Sequence, residues 1–187
     1  MTPHLILGID IDGVVADFVD AYRHLCQHLV GKPLPERPAC WDFPQAAGYT
    51  EAEIARVWAY IHANPEWWDT LRPLAGPLTW PGADVYYITA RPLVPRTLSI
   101  TEAWVRRCVD PRARVLLAAD KGAAAKALRL THYIDDRPEN LLAVRKASKD
   151  THVTLHRQPW NEGSPLFKAG AVAGLVGWPP KSEEHVE

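Results

Sequence analysis

The sequence predicts an α/β fold in which a parallel sheet is covered by helices on both faces. Three observations carry that prediction. Short apolar, β-branched runs alternate with helical stripes from residue 84 to residue 155. Such alternation builds parallel strands joined by helical crossovers. The runs end on unusual polar residues, at the strand ends where ligands gather in sheets of this kind. Finally, 187 residues with 47% hydrophobic content suit one domain, or a core with a small insertion.

The elements follow in chain order. Leu5 to Ile11 reads as a buried strand, short, β-branched and stopped by Gly13. From Asp17 to Val30, the residues Phe18, Val19, Tyr22, Leu25, Cys26, Leu29 and Val30 share one helical stripe, and Gly31 ends it. Residues 32–48 hold Pro33, Pro35, Pro38 and Pro44 with Trp41 and Phe43, which predicts an irregular segment with aromatic anchors. Thr50-Glu51-Ala52-Glu53 is a capping box that opens a helix with Ile54, Val57, Trp58 and Ile61 on one face. Asn64-Pro65 stops it, and a short element carries Trp67 and Trp68.

Beyond Pro73-Leu74-Ala75-Gly76-Pro77 the alternation becomes regular. Asp84 to Thr89 is a strand. A helix from about Arg96 to Val109 is expected to turn Leu98, Trp104, Val105 and Cys108 inward. Arg114 to Ala118 is a strand, Lys121 to Leu130 an alanine-rich helix, and His132 to Ile134 a strand ending at Asp135-Asp136. Pro138 to Ala147 is a helix with proline in its first turn, His152 to Leu155 a last strand, and the tail beyond Gly177 reads as frayed.

Composition removes several function classes. A net charge of -1 gives no general nucleic-acid or membrane surface. Cys26, Cys40 and Cys108 are far apart and odd in number, without a CxxC pair, so a zinc site or disulfide scaffold is not expected and a reducing cytoplasm is. No basic leader precedes the run Leu5 to Ile9, which is too short for a membrane span; a soluble, unprocessed chain is expected. The eight histidines, His24 and His28 among them, form no ligand set.

The polar residues at the strand ends carry the chemistry. Asp10 and Asp12 follow the first strand, with carboxylates expected to point the same way. Thr89 ends the next strand, Lys121 lies just past the third, and Asp135 and Asp136 close the fourth. Clustered carboxylates repel unless a cation joins them, and oxygen ligands without His or Cys favour Mg²⁺. Asp10 could then attack phosphorus while Asp12 protonates the leaving oxygen and later deprotonates water. Thr89, the Ala90 backbone N–H and Lys121 would hold the phosphoryl oxygens. One of Asp135 and Asp136 would complete the metal shell and the other orient it. Lys121 is favoured over Lys126, which lies more than a turn further along the helix and faces away.

These residues resemble the four motifs of the haloacid dehalogenase-like superfamily: Asp10-Ile11-Asp12-Gly13-Val14-Val15, Ile88-Thr89-Ala90, Lys121, and Ile134-Asp135-Asp136. The resemblance implies a Rossmann-like core, an aspartyl-phosphate intermediate and Mg²⁺. Over residues 5–161 the chain is also similar to the 5'(3')-deoxyribonucleotidase family. That likeness rests on residues 10–18, Leu71-Arg72-Pro73-Leu74-Ala75-Gly76, Ala103-Trp104-Val105, Asp120-Lys121, Ile134-Asp135-Asp136-Arg137-Pro138 and Gln158-Pro159-Trp160-Asn161.

The family resemblance implies metal ligation by Asp10, the Asp12 carbonyl and Asp136. It implies a small helical cap at 17–78, inserted after the first strand of a core made of 1–16 and 79–187. It also implies a base pocket with Phe18 and the Trp67/Trp68 segment. Ala90-Arg91 stands where the animal enzymes carry Ser-Pro, and Arg91 is expected either to meet a second anionic group or to pair with a carboxylate.

Each aromatic has a plainer reading. Trp58 and Trp104 are expected to pack, and for Phe18, Trp67 and Trp68 packing and nucleobase stacking stay open, since adjacent residues face different ways. The expected activity is Mg²⁺-dependent hydrolysis of (deoxy)nucleoside monophosphates in the cytoplasm. The alternatives are phosphorylated nucleic-acid ends, a non-nucleotide metabolite, or a scaffold without turnover. The expected partner is a small phosphorylated substrate, with no membrane and no stable nucleic-acid partner; a homodimer stays open.

Overall fold

The computed structural model describes residues 4–168, 171–175 and 178–179. Five parallel strands form one sheet in the order β3-β2-β1-β4-β5. These are β1 (Leu5–Ile9), β2 (Ala83–Thr89), β3 (Arg114–Leu117), β4 (His132–Asp135) and β5 (His152–Leu155). Register pairs Ile9 with Tyr87 on one side and with Ile134 on the other, so β1 lies at the centre. The order reverses about β1, which makes its C-terminal end the switch point where α/β sheets bind ligands.

Strand residues alternate between two buried layers. Leu7, Ile9, Tyr87 and Ile134 belong to one core, and Ile88, Tyr133 and Leu155 to the other. Burial on both faces explains the unbroken apolar runs. The first layer is covered by α1 (Phe18–Val30) and α4 (Thr97–Cys108), the second by α5 (Lys121–Leu128) and α6 (Pro138–Ala147).

Between β1 and β2 stand α1, the single turn α2 (Phe43–Ala46), α3 (Glu51–Ala63) and a 3₁₀ segment Pro65–Thr70. Asp17 caps α1 by accepting from the Asp20 amide, and Gly31 ends it at φ 80°. Both bonds of the Thr50/Glu53 capping box are made. Each cap satisfies a helix-end group that would otherwise lack a partner. After β5 a last turn, α7 (Pro165–Lys168), is formed.

Two expectations need correction. The first strand stops at Ile9 rather than Ile11. There the chain folds into a tight loop in which the Ile11 carbonyl accepts from the Val15 and Ala16 amides, which removes Ile11 from any ladder although it stays buried. Leu98 is not inward but 46% exposed. The buried stripe of α4 is Thr97, Thr101, Trp104 and Val105, and Leu98 lies about 100° around the helix from Thr97. Cys108 is half-buried. Most of the tail beyond Gly177 lies outside the described residues.

Candidate active site

The β1–β4 pairing brings Asp10 beside Asp135 and Asp136: the Asp10 amide donates to the Ile134 carbonyl at 2.9 Å. Ligand-capable oxygens of the three aspartates lie within 4.8 Å of one another, and all three residues are buried. Burial pushes each of these carboxyls above the usual carboxylate range. At Asp136, its neighbours Asp135 and Asp10 add to the rise. At Asp10 the nearby Lys121 ammonium opposes it.

Lys121 opens α5 with its side chain 1% exposed, and its Nζ donates to Asp10 Oδ1 at 2.5 Å and to the Ile88 carbonyl. Lys126 is exposed on the same helix, away from the aspartates. Asp120 caps α5 through the Ala123 amide, so the helix start and its lysine are held at the end of β3.

The two adjacent aspartates of the fourth strand end differ in their commitments. Asp135 accepts from Tyr133 Oη at 2.6 Å, the Arg137 amide at 2.8 Å, and Asn140 Nδ2 at 2.9 and 3.1 Å. Asp136 accepts at Oδ2 from Trp160 Nε1 at 2.7 Å, whereas its buried Oδ1 has no partner. A buried carboxylate oxygen without a donor is costly, and its nearest anionic companions make it fit for a hard cation.

Gly13 makes that closeness feasible. Its φ is +87°, and a Cβ there would sit 2.4 Å from Asp136 Oδ2. The Gly13 carbonyl in turn accepts from Gln158 Nε2 at 2.7 Å, and His156 Nδ1 lies 3.1 Å away. Asn161 Nδ2 donates to the Asp136 and His156 carbonyls at 2.7 and 2.8 Å, so the 156–161 segment ties the two aspartate loops together.

Asp12 lies outside the three-aspartate cluster and is gripped by Arg91, whose Nη2 and Nε approach Oδ1 at 2.7 Å and Oδ2 at 3.0 Å. Thr89 Oγ1 donates to Asp12 Oδ2 at 3.2 Å and accepts from the Arg91 amide at 3.2 Å. Of the two roles expected for Arg91, the structure displays carboxylate pairing; its side chain is wholly buried rather than open to a pocket. Ala90 sits exposed beside it at the end of β2.

Phe18 lies at the middle of an aromatic group. Trp41, Trp58 and Trp68 stack on it with centroids 6.1 Å away, and Trp67 meets it edge-on at 6.0 Å. Trp68 is buried, with the Arg91 guanidinium 4.3 Å over its ring and its own Nε1 unpartnered. Trp67 turns the other way, toward a groove of about 310 Å³ on the outer side of α1, lined also by Asp17, Asp20, His24 and Arg72. Trp104 is buried with Nε1 donating to the Leu71 carbonyl at 2.9 Å, and Trp58 packs on Phe18 and Tyr22.

Sequence reasoning gave no role to Tyr133 or Asn140, and it met Gln158, Trp160 and Asn161 only within a family likeness. Tyr133 and Asn140 lie two residues before and five after Asp135, a local offset that could have flagged them. For Trp160 and Asn161, which reach Asp136 from 24 and 25 residues away, no local signal exists.

Residues 4–164 match the family model described as 5' nucleotidase, deoxy (pyrimidine), cytosolic type C protein. No curated protein matches the chain. Among solved structures, a haloacid dehalogenase-like hydrolase from Streptococcus pneumoniae is 12% identical with a TM-score of 0.56, over 91% of this chain and 93% of that one. A haloacid dehalogenase-like family hydrolase from Xanthomonas campestris is 15% identical with a TM-score of 0.52, over 94% and 92%. A predicted phosphoglycolate phosphatase from Haemophilus somnus is 12% identical with a TM-score of 0.54, over 95% and 97%. At these identities the likeness establishes the shared fold, that of haloacid dehalogenase-like hydrolases.

Proposed function

The chain belongs to the family of deoxy (pyrimidine) cytosolic type C 5'-nucleotidases and is a phosphoric monoester hydrolase; from this we propose that it removes the 5'-phosphate of (deoxy)nucleoside monophosphates with Mg²⁺ and an aspartyl-phosphate intermediate. The observation that carries the reading is the buried triad of Asp10, Asp135 and Asp136, with Lys121 against the first of them.

Asp10 and Asp136 would hold the metal, the Asp12 carbonyl adding a third oxygen as the family resemblance implies. The unpartnered Oδ1 of Asp136 supports direct ligation there. Asp135, its oxygens already taken by Tyr133, Arg137 and Asn140, would serve as the orienting neighbour. Held by these oxygens, Mg²⁺ would shield the phosphate from the anionic nucleophile.

Asp10 attacks phosphorus, and Asp12 gives its proton to the departing ester oxygen. Water then attacks the acyl phosphate as Asp12 takes a proton back, and the carboxylate of Asp10 is restored. Thr89, the Ala90 amide and Lys121 steady the phosphoryl oxygens as charge moves among them.

The helical segment 17–78 would act as the cap, with Phe18 and Trp68 packed inside it and the half-buried Trp67 left to present aromatic surface to a base. Among the described residues no helix is long and apolar enough to cross a membrane, and the family's cytosolic description supports the cytoplasm as the place of action.

A phosphate-release panel of ribo- and deoxyribonucleoside monophosphates, sugar phosphates and 5'- or 3'-phosphorylated oligonucleotides, with and without Mg²⁺, tests this. Mononucleotides should be turned over best and only with the cation. Preference for sugar phosphates would remove the substrate assignment while leaving the mechanism standing.

A further inference from the structure

Arg91 has a part that the reaction scheme above does not use. Its five N–H donors form a rigid fork that matches a carboxylate. Here the fork is spent wholly inside the protein. Nη2 meets Asp12 Oδ1 at 2.7 Å, Nε lies 3.0 Å from Oδ2 and 3.3 Å from Oδ1, and Nη1 donates to Thr101 Oγ1 at 3.1 Å. The guanidinium face rests 4.3 Å from the Trp68 ring. Its side chain is 0% exposed while that of Asp12 keeps 16% of its surface open. The general acid/base is therefore anchored on one side to α4 through Thr101 and on another to the helical insertion through Trp68.

An arginine with no solvent-facing donor is poorly placed to recruit a substrate anion, but well placed to fix the plane of a carboxylate. The two halves of the reaction use that carboxylate differently. Leaving-group departure needs a proton on Asp12, on the very oxygens the fork occupies. Hydrolysis of the acyl phosphate needs an oxygen aimed at the attacking water, and the two-point grip of Nη2 and Nε fixes that aim. We propose that Arg91 is a positioning residue that sets Asp12 for the water step, so that its loss slows hydrolysis of the phosphoaspartate more than its formation. In that step the water oxygen bonds to phosphorus, the P–O bond to Asp10 breaks with its electron pair returning to the Asp10 carboxylate, and Asp12 takes the water proton.

The inference rests on the phosphatase reading, and the experiment separates the two. Rapid-quench kinetics with p-nitrophenyl phosphate and Mg²⁺ follow a leaving group that departs as an anion and needs no proton. In R91K the positive charge remains but the fork is gone. Its first turnover should stay near the parental rate, while steady-state turnover falls on the order of 100-fold, within the range of a misplaced general base. Phosphoaspartate on Asp10 should then accumulate in the acid-quenched protein.

T101V keeps the ion pair but frees Nη1, and should shift the two rates apart in the same direction by a smaller factor. It reads the same effect if R91K does not fold. Equal losses in both phases would make Arg91 a stability residue only and overturn the inference, as would an unchanged steady state. A parent protein that releases no p-nitrophenolate would overturn the phosphatase reading itself, and this inference with it.

Discussion

Neutralising Asp136 should make the metal-free protein more stable and at the same time blind it to Mg²⁺. In Asp136→Asn the amide keeps the shape, its oxygen still accepts from Trp160 Nε1, and its new NH₂ faces Asp10 and Asp135. The oxygens of the three aspartates lie within 4.8 Å, and two unit charges at that separation repel by about 3.5 kcal/mol at an effective dielectric of about 20. Lys121 stands against one of the partners, so a relief of about 2–3 kcal/mol is the reasonable expectation. The parent bears this strain either as repulsion or as proton uptake, because burial raises all three carboxyls, and the amide abolishes both.

For a chain of this size the relief corresponds to a rise in Tm of roughly 5–10 °C in EDTA. The parent, by contrast, should gain about 2.7 kcal/mol when Mg²⁺ is raised to about 100 times its Kd. Differential scanning calorimetry of parent and variant, each in EDTA and in MgCl₂ near pH 7.5, reads both effects. A variant that melts lower than the parent in EDTA yet keeps its Mg²⁺ shift would refute the reasoning, since the aspartates would then not be sharing one ion.

Two further outcomes follow from the same geometry. Burial raises the Asp10 carboxyl from 3.8 to about 8, so its contribution to metal-free stability is fully present below about pH 4 and is lost as pH rises toward 8. A cation that replaces the proton should therefore stabilise the parent more at pH 8 than at pH 5. The Mg²⁺-induced Tm shift is the right measure, because His132 and His156, whose pKa values burial lowers, act with the opposite sign below about pH 6.5 in both metal-free and metal-loaded samples. Lys121→Met should lower kcat/KM by roughly 10²–10³-fold through loss of a donor to the phosphoryl oxygens. It should also lower the metal-free Tm by leaving Asp10 without its cation, and a variant with unaltered turnover would place the phosphate elsewhere.

The order of strands and helices was written in the sequence, because it depends on periodicity and caps that act within a few residues. The runs at β1, β2 and β4 and the stripe of α1 needed no tertiary knowledge, nor did Asp17, Thr50 and Gly31 at helix ends. The polar strand ends were legible for the same reason: parallel topology sends them all to one rim. Leu98 stays outside the core because its angular position on the helix buries Thr97 and Thr101 in its place.

What the chain could not state by itself is which charge faces which. Asp10 and Asp12 are two residues apart, yet one meets Lys121 from 111 positions away and the other Arg91 from 79. Asp135 and Asp136 are neighbours, yet Tyr133 and Asn140 occupy the first while Trp160 reaches the second. Local propensity selects residues by their own conformation, whereas pairing depends on distances set only when distant strands and loops have packed. The residues gathered at the rim are therefore set by the sequence, and their pairings by the fold.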